Sequence, residues 1–186
     1  VLFFTLSFIF PQGMYIEKND KPVYSLNILY NSLNETNPDT EIEDVENYYG
    51  LSLSYIFKGN NEFSLSYKSS EDSKITSTSY LYYIKPDFYL NMFSGVSYEY
   101  LHNEHKYSAK IGVYGNKKNG KNVKSGLQYF PFFIYNYSYV SGYYYDAMIF
   151  GCSFLFNDIG IEPSYVWIDD NTNELSLKIY LWEFGN

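Results

Sequence analysis

From Val23 onward, apolar residues recur mainly at every second position. The clearest stretch is Tyr49, Leu51, Leu53, Tyr55, Phe57, interleaved with Gly50, Ser52, Ser54, Ile56 and Lys58. Successive side chains of a strand point to opposite faces, so alternation over this length specifies strands whose two faces meet different surroundings. Val23–Tyr30 opens the series, and Phe63–Lys68, Thr76–Ile84, Phe88–Tyr100 and Tyr107–Tyr114 repeat it. Lys124–Phe133, Asp146–Phe156, Ile159–Ile168 and Leu175–Trp182 complete it, and no stretch sustains a helical period. About ten strands are expected, within a range of roughly eight to twelve, in an all-β chain.

The links between them alternate in character. Lys58-Gly59-Asn60-Asn61, Lys85-Pro86-Asp87 and Asn157-Asp158 are short and rich in turn formers. The link around Asn119-Gly120 is longer but holds a hairpin-turn dipeptide. The other parity includes the longest expected connection, Ser32 to Asn47, and a tyrosine-rich loop expected at Asn136–Tyr145. An even strand count, with short turns at one end and longer loops at the other, specifies an antiparallel up-and-down barrel closed by pairing its first and last strands.

Two faces follow from the hairpin register. One reads Leu26, Ile28; Leu51, Leu53; Leu65; Val96; Ile111; Phe150; Ile161; Leu177, Ile179, with aromatics toward the strand ends. An apolar band between aromatic girdles is the layout of a surface in contact with lipid. The opposite face is mostly Ser, Gly and Asn, and a soluble barrel would place many more charges on its water-facing side. Residues expected to line an enclosed lumen are Ser52, Ser54, Ser64, Ser66, Asn91, Ser97, Glu99, Lys110, Gln128, Glu162, Ser164 and Lys178. Small side chains there leave room, so a narrow pore is one expectation. Glu99 is expected diagonal to Lys110, and Glu162 to Lys178, because enclosed charges need partners. Pro131 and Pro163 fall inside strands and call for a bulge or a locally unpaired position.

Composition sharpens this. Aromatics make up 22% of the 186 residues and charged residues only 18%, below the roughly one quarter usual in globular proteins. Every basic residue is lysine and the net charge is −8, which excludes a nucleic-acid partner that needs a clustered cationic footprint. One cysteine excludes an intrachain disulfide and a Cys-rich zinc site, and two histidines leave little for a His-ligated metal. No cofactor is expected. Residues 1–13 open with the apolar run VLFFTLSFIF, which reads as a truncated signal-peptide segment ahead of a single barrel domain at 14–186.

From about Val23 to the end, the chain resembles small bacterial outer-membrane β-barrels of the porin-like type. The resemblance rests on YGLSLSY at 49–55, SLSY at 64–67 and the closing strand LSLKIYLWEF at 175–184, whose Phe184 is similar to the aromatic residue that commonly ends such proteins. It implies residence in the outer membrane, with lipopolysaccharide-type lipid and the barrel insertion machinery as partners. A non-enzymatic role follows, as a narrow, cation-preferring pore beneath acidic outer loops or as a structural and surface-interaction protein.

Two alternatives stand beside it. A hydrolase, either a lipid deacylase or a protease, would use an outer-rim histidine, and His102, Glu104 and His105 in LHNEHK are the only material for one. A soluble exported barrel or sandwich that binds a ligand is the third reading. Glu35, Asp39, Glu41, Glu43, Asp44 and Glu46 crowd the first long loop without calcium-loop spacing, so a solvated acidic loop is expected. Lys117, Lys118, Lys121 and Lys124 form a basic run at the opposite rim. Cys152 reads as a small hydrophobe on the lipid-facing side.

Overall fold

The computed structural model describes residues 22–57, 60–84, 90–101, 103–115, 128–156 and 159–184, with the side chains of Val23, Gln128, Trp182, Glu183 and Phe184 left out. Ten strands follow one another: β1 (Val23–Thr36), β2 (Glu43–Phe57), β3 (Asn61–Ser69), β4 (Lys74–Ile84), β5 (Leu90–Leu101), β6 (Glu104–Gly115), β7 (Gln128–Val140), β8 (Tyr143–Phe156), β9 (Ile159–Trp167) and β10 (Thr172–Phe184). Each pairs antiparallel with its neighbours in sequence, and β1 closes on β10, so the sheet is an up-and-down barrel with no free edge. Expectation and structure agree on the strand count and the closure. The leader-like segment 1–13 and the basic run at 117–124 lie outside the described residues.

The loops differ from expectation. β1 and β2 run on as a paired ribbon as far as Thr36↔Glu43, so the connection expected at 32–47 shrinks to 37–42. Asn136–Tyr145 is not a loop: β7 and β8 stay paired to Val140↔Tyr143 around a two-residue turn. Ser141 (φ 48°) and Gly142 (φ 93°) are both left-handed there, as a hairpin turn matched to strand twist requires. A side chain at Gly142 would meet open space, so the cost of replacing it is conformational. Gly142→Ala is expected to lower stability by about 1 kcal/mol, read as a shift of the denaturation midpoint.

The prolines mark two breaks in the ladders. The β6–β7 pairing stops at Tyr114↔Phe132, one residue short of Pro131. The β8–β9 pairing lapses between Gly151↔Ser164 and Phe154↔Ile161, across from Pro163. A missing N–H cannot extend a ladder, and local unpairing is the cheapest answer. Cys152 lies between them, opposite Pro131 on one side and facing the gap at Pro163 on the other.

Alternation sorts the faces as expected. Leu51, Leu53, Leu65, Val96 and Ile111 are each more than half exposed on the outside of the barrel. Every described residue of the expected lumen set is buried inside it. A belt of exposed apolar side chains that encircles the barrel far exceeds the few hundred Å² tolerated on a water-soluble monomer.

Candidate functional site

The interior is the feature that must explain function, and it is fuller than its serines imply. Leu81 and Tyr83 (β4), Phe93 (β5), Tyr114 (β6), Phe132 and Ile134 (β7), Ala147 and Ile149 (β8) and Val166 (β9) form one apolar cluster supplied by six consecutive strands. The rings of Tyr83, Phe93 and Tyr114 lie 5.9 to 6.4 Å apart. Glycines on the inner face do not widen the lumen. A Cβ at Gly112 would meet the Phe93 ring, at Gly151 the Phe132 ring, at Gly160 the Tyr180 ring, at Gly95 the side chain of Leu81, and at Gly50 the stem of Lys68. Each gap is filled by a large inward neighbour, a pairing known to stabilise glycine in sheets. Where an inner-face glycine leaves space, a side chain of the neighbouring strand lies over it.

Serines close the wall in the same way. Ser64 and Ser79 hydroxyls lie 2.9 Å apart, Ser66 and Ser77 2.5 Å, and Ser108 and Ser138 2.8 Å, each pair facing across adjacent strands. Asn27 donates to the Ser52 hydroxyl at 2.7 Å, tying β1 to β2. Such cross-strand hydrogen bonds satisfy these hydroxyls, whereas the buried Ser54, Ser97 and Ser164 hydroxyls have no hydrogen-bond partner among the described residues.

The described inward charges are Glu62, Lys68, Glu99, Lys106, Lys110, Glu162, Glu174 and Lys178, four acids against four bases. Their pairing differs from expectation. Glu99 faces Lys106 directly, with Lys106 Nζ donating to Glu99 Oε2 at 3.0 Å, whereas Lys110 stands opposite Gly95. Lys106 Nζ also lies 5.7 Å from the Tyr145 ring centroid. Glu162 and Lys178 are directly opposite, not diagonal, and Ser153 donates to Glu162.

Four of these charges, Glu62, Lys68, Lys106 and Glu174, fall outside the expected lumen set. Lys68 donates to Asn31 Oδ1 at 3.0 Å, and Asn31 donates in turn to Glu174 and, at 2.9 Å, to Ser176. One asparagine thus bridges a base on β3 and an acid on β10. Tyr83 donates to Glu62. Period two already marks all four: Glu62 precedes Ser64 by two, Lys68 follows Ser66 by two, and Lys106 and Glu174 precede Ser108 and Ser176 by two. Lys106 and Glu174 both sit in strands with side chains inside. Ser54, Asn91, Ser97 and Ser164 are also buried on this face, while the side chain of Gln128 lies outside the described residues.

At the rim, His105 is exposed on the outward wall, with Nδ1 2.7 Å from the Tyr98 hydroxyl and its ring against Tyr98 and Tyr100. His102 lies outside the described residues. The acidic hairpin holds Glu41 in a left-handed turn, and Ser70 donates to Glu46 at 2.5 Å across to the β3–β4 turn. Among the described residues, no group of three or more His, Cys, Asp or Glu is arranged to hold a metal ion.

No protein-family model matches the chain, and no curated protein matches it in sequence. Among solved structures, its fold is similar to that of LpxR from Salmonella typhimurium, with a TM-score of 0.53 at 10% identity over 89% of this chain and 85% of that one. Looser matches are the KdgM porin, with a TM-score of 0.48 at 13% identity over 86% and 99% of the two chains, and the translocator domain of autotransporter NalP from Neisseria meningitidis, at 0.47 and 9% over 94% and 91%. At these identities the likeness is one of fold. The architecture is that of the outer-membrane β-barrels.

Proposed function

We propose that the protein is an integral outer-membrane β-barrel with a filled interior, acting as a structural or surface-interaction component and not as an open pore or an enzyme. The observation that carries this reading is the packing of the lumen: inward rings occupy the spaces over inward glycines, and serines bond one another across strands. Conduction needs a continuous wet path, and a ten-stranded barrel is small enough for side chains to fill. Balanced inward charge also gives the lumen itself no basis for preferring cations.

The membrane assignment is supported by the exposed apolar belt. Hydrolysis would need a nucleophile or water aligned with His105, and its described partners are tyrosines on the outward wall.

Reconstituted in planar bilayers, the purified protein is expected to give no step conductance above the bare membrane. Regular unitary steps would overturn the filled-lumen reading. A folded monomer that stays soluble without detergent and lacks heat-modifiable migration would overturn the membrane reading separately.

A further inference from the structure

On the outside of the barrel, large apolar neighbours usually face each other, as in the row Leu26, Leu53, Leu65 across β1, β2 and β3. Small side chains interrupt such rows, and one interruption lies between β5 and β6. Val96 on β5 faces Ala109 on β6, and the two small side chains floor a groove of about 580 Å³. Phe63 and Tyr80 wall it on the β3–β4 side, and Tyr137 and Tyr139 wall it on the β7 side. Tyr98 and Tyr107 close its end toward the β5–β6 turn. The volume is in the range of roughly 300–1,000 Å³ typical of small-molecule sites.

The walls are held from behind. Tyr98 is fixed by its hydrogen bond to His105 and by a ring contact to Tyr107 at 5.4 Å. Tyr144 stacks on Tyr137 at 5.6 Å and packs on Tyr139 at 4.9 Å. Tyrosine has two side-chain torsions, and rings already locked by neighbours lose little freedom when something enters between them. The groove is therefore preformed.

We propose that this groove is a binding site for one acyl chain of a membrane phospholipid. The inference rests on the membrane reading above. The groove opens within the exposed apolar belt, so what enters it must be dissolved in the bilayer, and it is a cleft over small side chains between flat ring faces, which suits a narrow, flexible hydrocarbon chain. His105 then has a role outside catalysis: it positions Tyr98 at the head of the site.

Native mass spectrometry tests this, with delipidated protein in detergent titrated with dipalmitoyl phosphatidylethanolamine. The wild type is expected to retain one lipid saturably. Val96→Phe and Ala109→Phe, which fill the groove from its floor, are expected to weaken retention about tenfold. Leu53→Phe, on β2 and outside the residues that line the groove, is expected to bind as the wild type does. Equal retention by all three variants, or no saturable lipid on the wild type, would overturn the site. A two-chain species lost only in Val96→Phe and Ala109→Phe would overturn it too, in favour of a second copy as occupant. Heat-modifiable migration of each variant, measured first, separates failure of the groove from failure of the membrane reading.

Discussion

Gly160→Val is expected to be the most damaging single substitution in the barrel wall. Gly160 stands directly opposite Tyr180 on β10, and a Cβ built on it would lie 1.7 Å from Tyr180 Cε2 and 1.9 Å from Cζ. The tyrosine ring is wholly buried, so it has no empty direction in which to swing. Overpacking a tight interior usually costs about 1–3 kcal/mol, and the cost rises when neither the ring nor the strand can yield. A loss of ~3 kcal/mol or more is expected here, seen as a lower urea midpoint of the heat-modifiable species. The reciprocal change probes function. Tyr180→Ala keeps Gly160 and removes the ring that covers it, so it is expected to leave a void beside Lys178 and Glu162 and to produce transient conductance. A Gly160→Val barrel with an unchanged midpoint would show that the ring is free to move, and the filled-lumen reading would fall with it.

The lipid-facing half of this architecture was legible because its solvent imposes one rule everywhere: outward means apolar. YGLSLSY needs nothing beyond period two to place Leu51 and Leu53 outside and Ser52 and Ser54 inside. Three kinds of feature escaped that rule. The β1–β2 ribbon beyond Tyr30 and Tyr49 carries Glu35, Glu43, Asp44 and Glu46, whose polarity hides the strand period, so it read as loop. Asn136–Tyr145 does alternate, but tyrosine is polar enough at its tip to pass for a loop residue in composition while serving as an interfacial strand residue in the fold.

The inward face escaped for a different reason. No single solvent acts there, so Leu81, Tyr83, Phe93 and Tyr114 share a parity with Ser79, Asn91 and Lys110, and only packing against a neighbour says which size is wanted at which position. A glycine's partner ring depends on strand register, and register depends on turns. The expected strands Phe88–Tyr100 and Tyr107–Tyr114 leave 101–106 between them, whereas Leu101 pairs with Glu104. Tightening that turn moves Glu99 from a diagonal onto Lys106, which rewrites the charge network.

That network supplies the second large effect. Glu99→Gln is expected to destabilise the barrel by ~3–5 kcal/mol, because it removes the carboxylate whose Oε2 accepts from Lys106 at 3.0 Å where both side chains are almost fully buried. The loss extends beyond one bond. Glu99 also acts electrostatically on Lys68 and Lys110, and without it Glu174 remains as an acidic neighbour of Lys68 and Lys106. Burying uncompensated like charges is far costlier than burying none, so replacing both partners should be milder than replacing one. Glu99→Gln combined with Lys106→Met is therefore expected to recover more than half of the loss, as measured by urea unfolding in detergent micelles. Lys106→Met alone is expected to cost less than Glu99→Gln, since Glu99 keeps Lys68 and Lys110 as counter-charges. The reverse order would show that the group is organised around Lys106 and not Glu99. Equal midpoints for all three variants would mean that water reaches these charges freely, which a filled interior forbids.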